Sequence, residues 1–209
     1  RIAGRQTFLA LLGDAATGDL QGVFTAAREL VDREGPIATQ ALSALIEPQL
    51  IEARESLRFA VREGPSSRGW EDAQRAATTA RMLSPRSPEP PLLLGEGALA
   101  QGNLNRSQEE FEAALGLDER STAARTGLAR VAIARRDYET AEDHLREAAR
   151  LNPQDWQAWS NLGRHLTETG ATDEAEEALR RAATLAGPDA PDPHLRLAEL
   201  FLASGRPTT

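Results

Sequence analysis

The side chains of this chain best suited to hold a charged ligand are two arginines at a fixed interval. Arg130 and Arg164 stand 34 residues apart, with Glu96 34 residues before the first and Glu199 35 residues after the second. A guanidinium grips a carboxylate through two parallel N–H donors, so such a pair suits an acidic side chain or a free carboxylate. The spacing equally suits a plainer role, with Arg130 paired to Glu96 and Arg164 to Glu199. Catalysis has no comparable signal. His144, His165 and His194 lack the HExxH spacing and a close pair of further ligands, so no metal and no cofactor is expected. There is no GxSxG, no phosphate-cradling glycine loop and no dinucleotide fingerprint. Gly95-Glu96-Gly97 lies inside a helical stretch and reads as packing. Cysteine is absent, which removes disulfides, thiol chemistry and thiolate metal sites. These residues describe a binding protein and not an enzyme.

The elements that position the arginines follow from a period. Residues 88–121, 122–155 and 156–189 superimpose at an offset of 34 without a gap. Leu94, Leu128 and Leu162 coincide, as do Gly95, Ala129 and Gly163, then Ser107, Ala141 and Ala175. Phe111, Leu145 and Leu179 follow, then Ala114, Ala148 and Ala182, then Leu117, Leu151 and Leu185. A period of this length marks a stack of helical hairpins, none of which buries its apolar face alone. Small residues fall where two helices approach closely, and the larger ones fill the space between hairpins. Gly102 and Gly170 occupy the turn where a helix end calls for positive φ. Arg136 holds the middle copy of that turn, which must close without glycine. Asp155, Thr172 and Ser121 stand where an N-cap is wanted. Glu142 with Arg146, Glu176 with Arg180 and Glu177 with Arg181 have the spacing of ion pairs along a helix.

The series Trp159, Leu162, Gly163, Leu166, Gly170, Ala175, Leu179, Ala182, Leu185 resembles the tetratricopeptide repeat. So does Leu128, Ala129, Ala132, Tyr138, Ala141, Leu145, Ala148, Leu151, Asn152-Pro153. The first copy, with Leu94-Gly95, Ala98, Gly102, Phe111 and Ala114, departs at Ser107, where a small alanine is usual, and at Glu119, where a proline is expected. The resemblance implies an all-α, right-handed α-solenoid of antiparallel helix pairs. It also implies a concave groove lined by the first helix of each pair. Register then names the lining. Leu92, Thr126, Ser160 and Leu195 form one row, Glu96, Arg130, Arg164 and Glu199 a second, and Leu99, Ile133, Thr167 and Leu202 a third, with Asn161 beside Ser160. Apolar at both ends and cationic in the middle, this surface suits an extended or helical protein segment carrying apolar anchors and a carboxylate. Some members of the family clamp a terminal carboxylate with lysine and asparagine. Here Thr126 and Arg130 stand where that clamp wants them, and the chain has no lysine, so that ligand type is not expected.

Outside residues 88–189 the same template continues in weaker form. Residues 1–87 read as degenerate helical hairpins. One spans 7–16 and 20–31, and another ends its first helix at Gly64 and runs its second over 70–83. Apolar residues keep helical spacing across Pro48, where a kink or break is expected near Glu47. The connector 84–91 is too short for an interdomain linker, so one elongated domain is expected. Residues 190–209 hold half a repeat, whose apolar helix at 193–203 wants a partner. Self-association through Leu197 and Phe201 is therefore an alternative role, and service as the docking arm of a larger enzyme is another.

A net charge of −8 and a pI near 5.0, with no basic cluster, argue against a nucleic acid or an anionic membrane as partner. No segment reaches the length of a membrane span. All 24 basic residues are arginine, a bias of a GC-rich, bacterial genome. A cytoplasmic setting is favoured, with a periplasmic or membrane-anchored one left open because the chain starts at Arg1.

Overall fold

The computed structural model describes residues 36–64, 67–187 and 190–204, and all regular structure among them is helical. The hairpin expected over 7–31 lies outside the described residues. No described helix is long and apolar enough to cross a membrane. The helices fall into two compact units, one ending at Gly102 and the other beginning at Asn103.

The first unit contains α1 (Pro36–Glu63), α2 (Gly69–Leu83) and α3 (Glu89–Ala100). α1 continues through Pro48 as one helix, and the expected break is not found. One missing hydrogen bond at an exposed proline is offset by the burial of Leu50, Ala53, Leu57 and Ala60 in the turns that follow. The α1–α2 hairpin is tight because Gly69 presents no side chain: a Cβ there would come within 3.0 Å of Ala60 Cβ and of the Ser56 carbonyl. Trp70 Nε1 donates to the Gly64 carbonyl at 3.0 Å and ties the turn. α3 begins earlier than the sequence suggests. Pro90 and Pro91 belong to its first turn, where a missing N–H costs nothing, and both are buried.

The second unit contains α4 (Leu104–Leu117), α5 (Thr122–Ala134), α6 (Tyr138–Leu151), α7 (Trp156–Thr169), α8 (Thr172–Ala186) and α9 (Pro191–Ser204). Each packs on its chain neighbours, and α7 also packs on α5 and α9. Helices of this length are marginal alone, so the stack holds them. The repeat positions land in equivalent surroundings. Leu94, Leu128 and Leu162 are 5%, 6% and 5% exposed, and Phe111, Leu145 and Leu179 are all buried. Gly163 lies against Leu179 of α8, whose Cγ would be 2.6 Å from an added Cβ. Gly127, which the repeat register does not single out, has the same role on α5, where the Phe111 ring would be 2.5 Å from a Cβ. The core gathers Ala129, Leu145, Leu162, Leu166, Leu179 and Leu200 with the alanines between them.

Candidate functional site

The expected groove residues divide between the units. Leu92, Glu96 and Leu99 lie on α3 in the first unit, with Glu96 exposed. The second unit holds the others, on the first helices of its hairpins and on α9.

On α5, Thr126 is partly buried and Ile133 packs against the core, while Arg130 is exposed and has no charged partner among the described residues of its unit. On α7, Asn161 and Arg164 are partly exposed. The carboxylate partner of Arg164 is Glu168 on its own helix, with Nη1 donating at 3.1 Å, and not Glu199. Four residues along one helix bring the two groups together locally, which a pairing between α7 and α9 does not match. Ser160 is buried, and its hydroxyl donates to Asp192 Oδ2 on α9 at 2.9 Å.

Asp192 is the charged residue that sequence reasoning missed here. It also accepts from Arg196 Nε at 3.0 Å. The hydrogen bond from Arg196 holds its carboxyl below the ordinary value; the Ser160 hydroxyl and the charges of Arg196 and Arg164 act in the same direction, against partial burial. Of the arginines on these helices, Arg130 is exposed, Arg164 is paired with Glu168 and Arg196 with Asp192. One inserted residue before α9 hides Asp192 from the 34-residue register.

On α9, Leu197 and Phe201, the residues named for self-association, are engaged within the unit: Leu197 is partly buried against the core cluster, and Phe201 is 7% exposed with the Arg180 guanidinium 5.8 Å from its ring. They sit at the positions of Leu162 and Leu166 once the inserted residue is allowed for, and those two are buried as well. The exposed apolar residues of α9 are Leu195 at 60% and Leu202 at 82%, both in the groove rows.

The histidines occupy three settings. His194 Nε2 lies 3.0 Å from the Gly187 carbonyl, its N–H donating, and repeats the bond from Trp159 Nε1 to the Pro153 carbonyl at 3.1 Å. His165 is fully buried, with Nε2 3.8 Å from Glu142 Oε2. Burial pushes His144 below the ordinary imidazole value, the Arg125 charge adds to this, and Asp143 and Glu112 oppose it.

A family model described as tetratricopeptide repeat matches residues 92–144 and 126–191. No curated protein matches the chain in sequence. Among solved structures, a thermophilic TPR protein of Thermus thermophilus superimposes with a TM-score of 0.63 at 19% identity, covering 95% of this chain and 99% of that one. PilF of Pseudomonas aeruginosa gives 0.61 at 20% identity, over 76% of this chain and 70% of that one. MamA of Desulfovibrio magneticus RS-1 gives 0.54 at 20% identity, over 75% and 86%. At these identities the likeness is one of fold.

Proposed function

The chain belongs to the tetratricopeptide repeat family through residues 92–191, and on that premise we propose that it is a non-catalytic scaffold which holds a segment of a partner protein against the inner face of α5, α7 and α9. The observation that carries this reading is the open guanidinium of Arg130 in register with Arg164, with the exposed Leu195 and Leu202 at the ends of the two flanking rows. A segment with a carboxylate and apolar side chains matches that order of groups, as an extended strand or as one face of a helix. Ser160 contributes as structure: its hydroxyl, tied to Asp192, sets α9 beside α7.

The test uses the chain as bait beside an Arg130→Glu/Arg164→Glu variant. Proteins retained by the wild type and weakened at least tenfold by the variant, with equal helicity and melting temperature in both, support the groove. Equal retention by both baits, or a variant that melts many degrees lower with binding intact, removes it in favour of a structural role for the arginines.

A further inference from the structure

A different face of α7 forms a second recess with α6 and α8. This cleft measures about 430 Å³. Its floor is apolar, from Ala149, Leu162, Leu166 and Ala178, all buried in the core. Trp159 and Pro153 stand beside it, and the charged groups at its rim are Arg146, Arg150, Arg181, Glu174 and Glu177. Two of these guanidiniums have carboxylate partners of their own, so the rim is not positive as a whole and its capacity to hold an anion rests on one arginine.

The three arginines are not equivalent. Arg146 is held by Glu142 and by Glu174, the latter at 2.6 Å, and Arg150 is held by Glu147 at 2.6 Å. Arg181 has no carboxylate partner among the described residues, and its guanidinium lies 4.3 Å from the centre of the Trp159 ring. A guanidinium stacked on an indole uses its face and leaves its N–H edge free, fixed in direction and already partly stripped of water. That edge is the part that binds a carboxylate through two parallel bonds.

We propose that this cleft binds a short acidic peptide segment, with one apolar side chain seated on the floor formed by Ala149, Leu162 and Ala178 and an adjacent carboxylate taken by the N–H edge of Arg181. The site is separate from the groove on α5, α7 and α9 and does not depend on it. Glu177, four residues before Arg181 on α8, is the competitor a ligand carboxylate must displace or tolerate.

The probe is a short, end-capped, fluorescein-labelled peptide with one leucine between pairs of aspartates, followed by anisotropy at low salt. Wild-type protein should bind it saturably. Arg181→Gln should weaken binding about tenfold, and Glu177→Gln should tighten it about threefold, since it removes the competing carboxylate. Arg130→Glu, which removes a groove contact, should weaken it less than Arg181→Gln does. The gain in Glu177→Gln keeps the test meaningful if Arg181→Gln folds poorly, because misfolding does not raise affinity. Absence of saturable binding by the wild type, equal affinity of Arg181→Gln and wild type, or a loss in Arg130→Glu as large as in Arg181→Gln overturns the proposal, the last by placing the peptide in the groove.

Discussion

Arg136 closes the α5–α6 turn with φ at 63°, a left-handed backbone that the chain otherwise reserves, among the described residues, for glycine. At the equivalent turns Gly102 and Gly170 adopt 76° and 87°. The bonds that finish the helix are the same at the last two copies: Asp137 N to the Ala132 carbonyl and Ala171 N to the Leu166 carbonyl, each 2.9 Å. A side chain in this conformation crowds its own backbone, at a cost of roughly 1–2 kcal/mol. Arg136→Gly is therefore expected to stabilise the protein by about 1 kcal/mol, after the loss to glycine's freedom in the unfolded chain. A urea midpoint at or below that of the wild type contradicts this. The conformation of Arg136 was legible in the sequence because the period named its equivalents. The stacking of Arg181 on Trp159 was not. Glu177 stands at ion-pair spacing before Arg181, and only the approach of α7 to α8 offers the indole as the better surface.

At the scale of the helix, the caps follow the same period with one gap. Asn103 and Asp137 cap α4 and α6, accepting from the amides of Arg106 and Thr140 at 3.2 Å. Their 34-residue successor is Ala171, which caps α8 with no side-chain bond. Its φ and ψ of −78° and 66° match those of Asp137 at −90° and 80°, so an acceptor introduced there would point at the α8 amides without rearrangement. Ala171→Asn should stabilise by about 1 kcal/mol, measured as a rise in melting temperature; no rise means that the core contacts of Ala171 outweigh the cap. The expected cap at Thr172 is not made: that residue is the first of the helix, and its hydroxyl donates backwards to the Gly170 carbonyl at 3.4 Å. The caps at Ser121 and Asp155 are made as expected, because the turns before α5 and α7 keep one length.

At the scale of the whole molecule, the shifted histidine and carboxyls among the described residues run one way. His144, Asp137, Glu147 and Asp192 are all held below their ordinary values. For each, the unfolded chain binds the proton more readily, so stability rises with pH through the window between the two values. His144 acts first, because its window opens just below the ordinary value of 6.5 and extends downward. Its burial and the nearby Arg125 both resist the charged imidazole. Folding stability should therefore fall as pH drops from neutral through the His144 window, and fall again when the carboxyls protonate below 3.8 to 4.5. A series of urea midpoints against pH checks this. His144→Asn should flatten the upper part of the curve and leave the lower part, and a slope unchanged by that substitution assigns it elsewhere.

By itself the sequence determined the repeat length, the helical hairpins, the small residues at their junctions and the register of the arginines. All of these are periodic, and a period survives in one dimension because each copy meets the same neighbours. Tertiary structure alone decided which groups with the right chemistry are free. Leu197 and Phe201 are packed within their unit and Leu195 and Leu202 are exposed, because one face of α9 meets α7 and α8 and the other does not. Ser160 is closed by Asp192, Arg130 is open, and Arg181 lies on Trp159. Each of these depends on distances between helices, and side chains from different helices meet with no spacing that the chain order records.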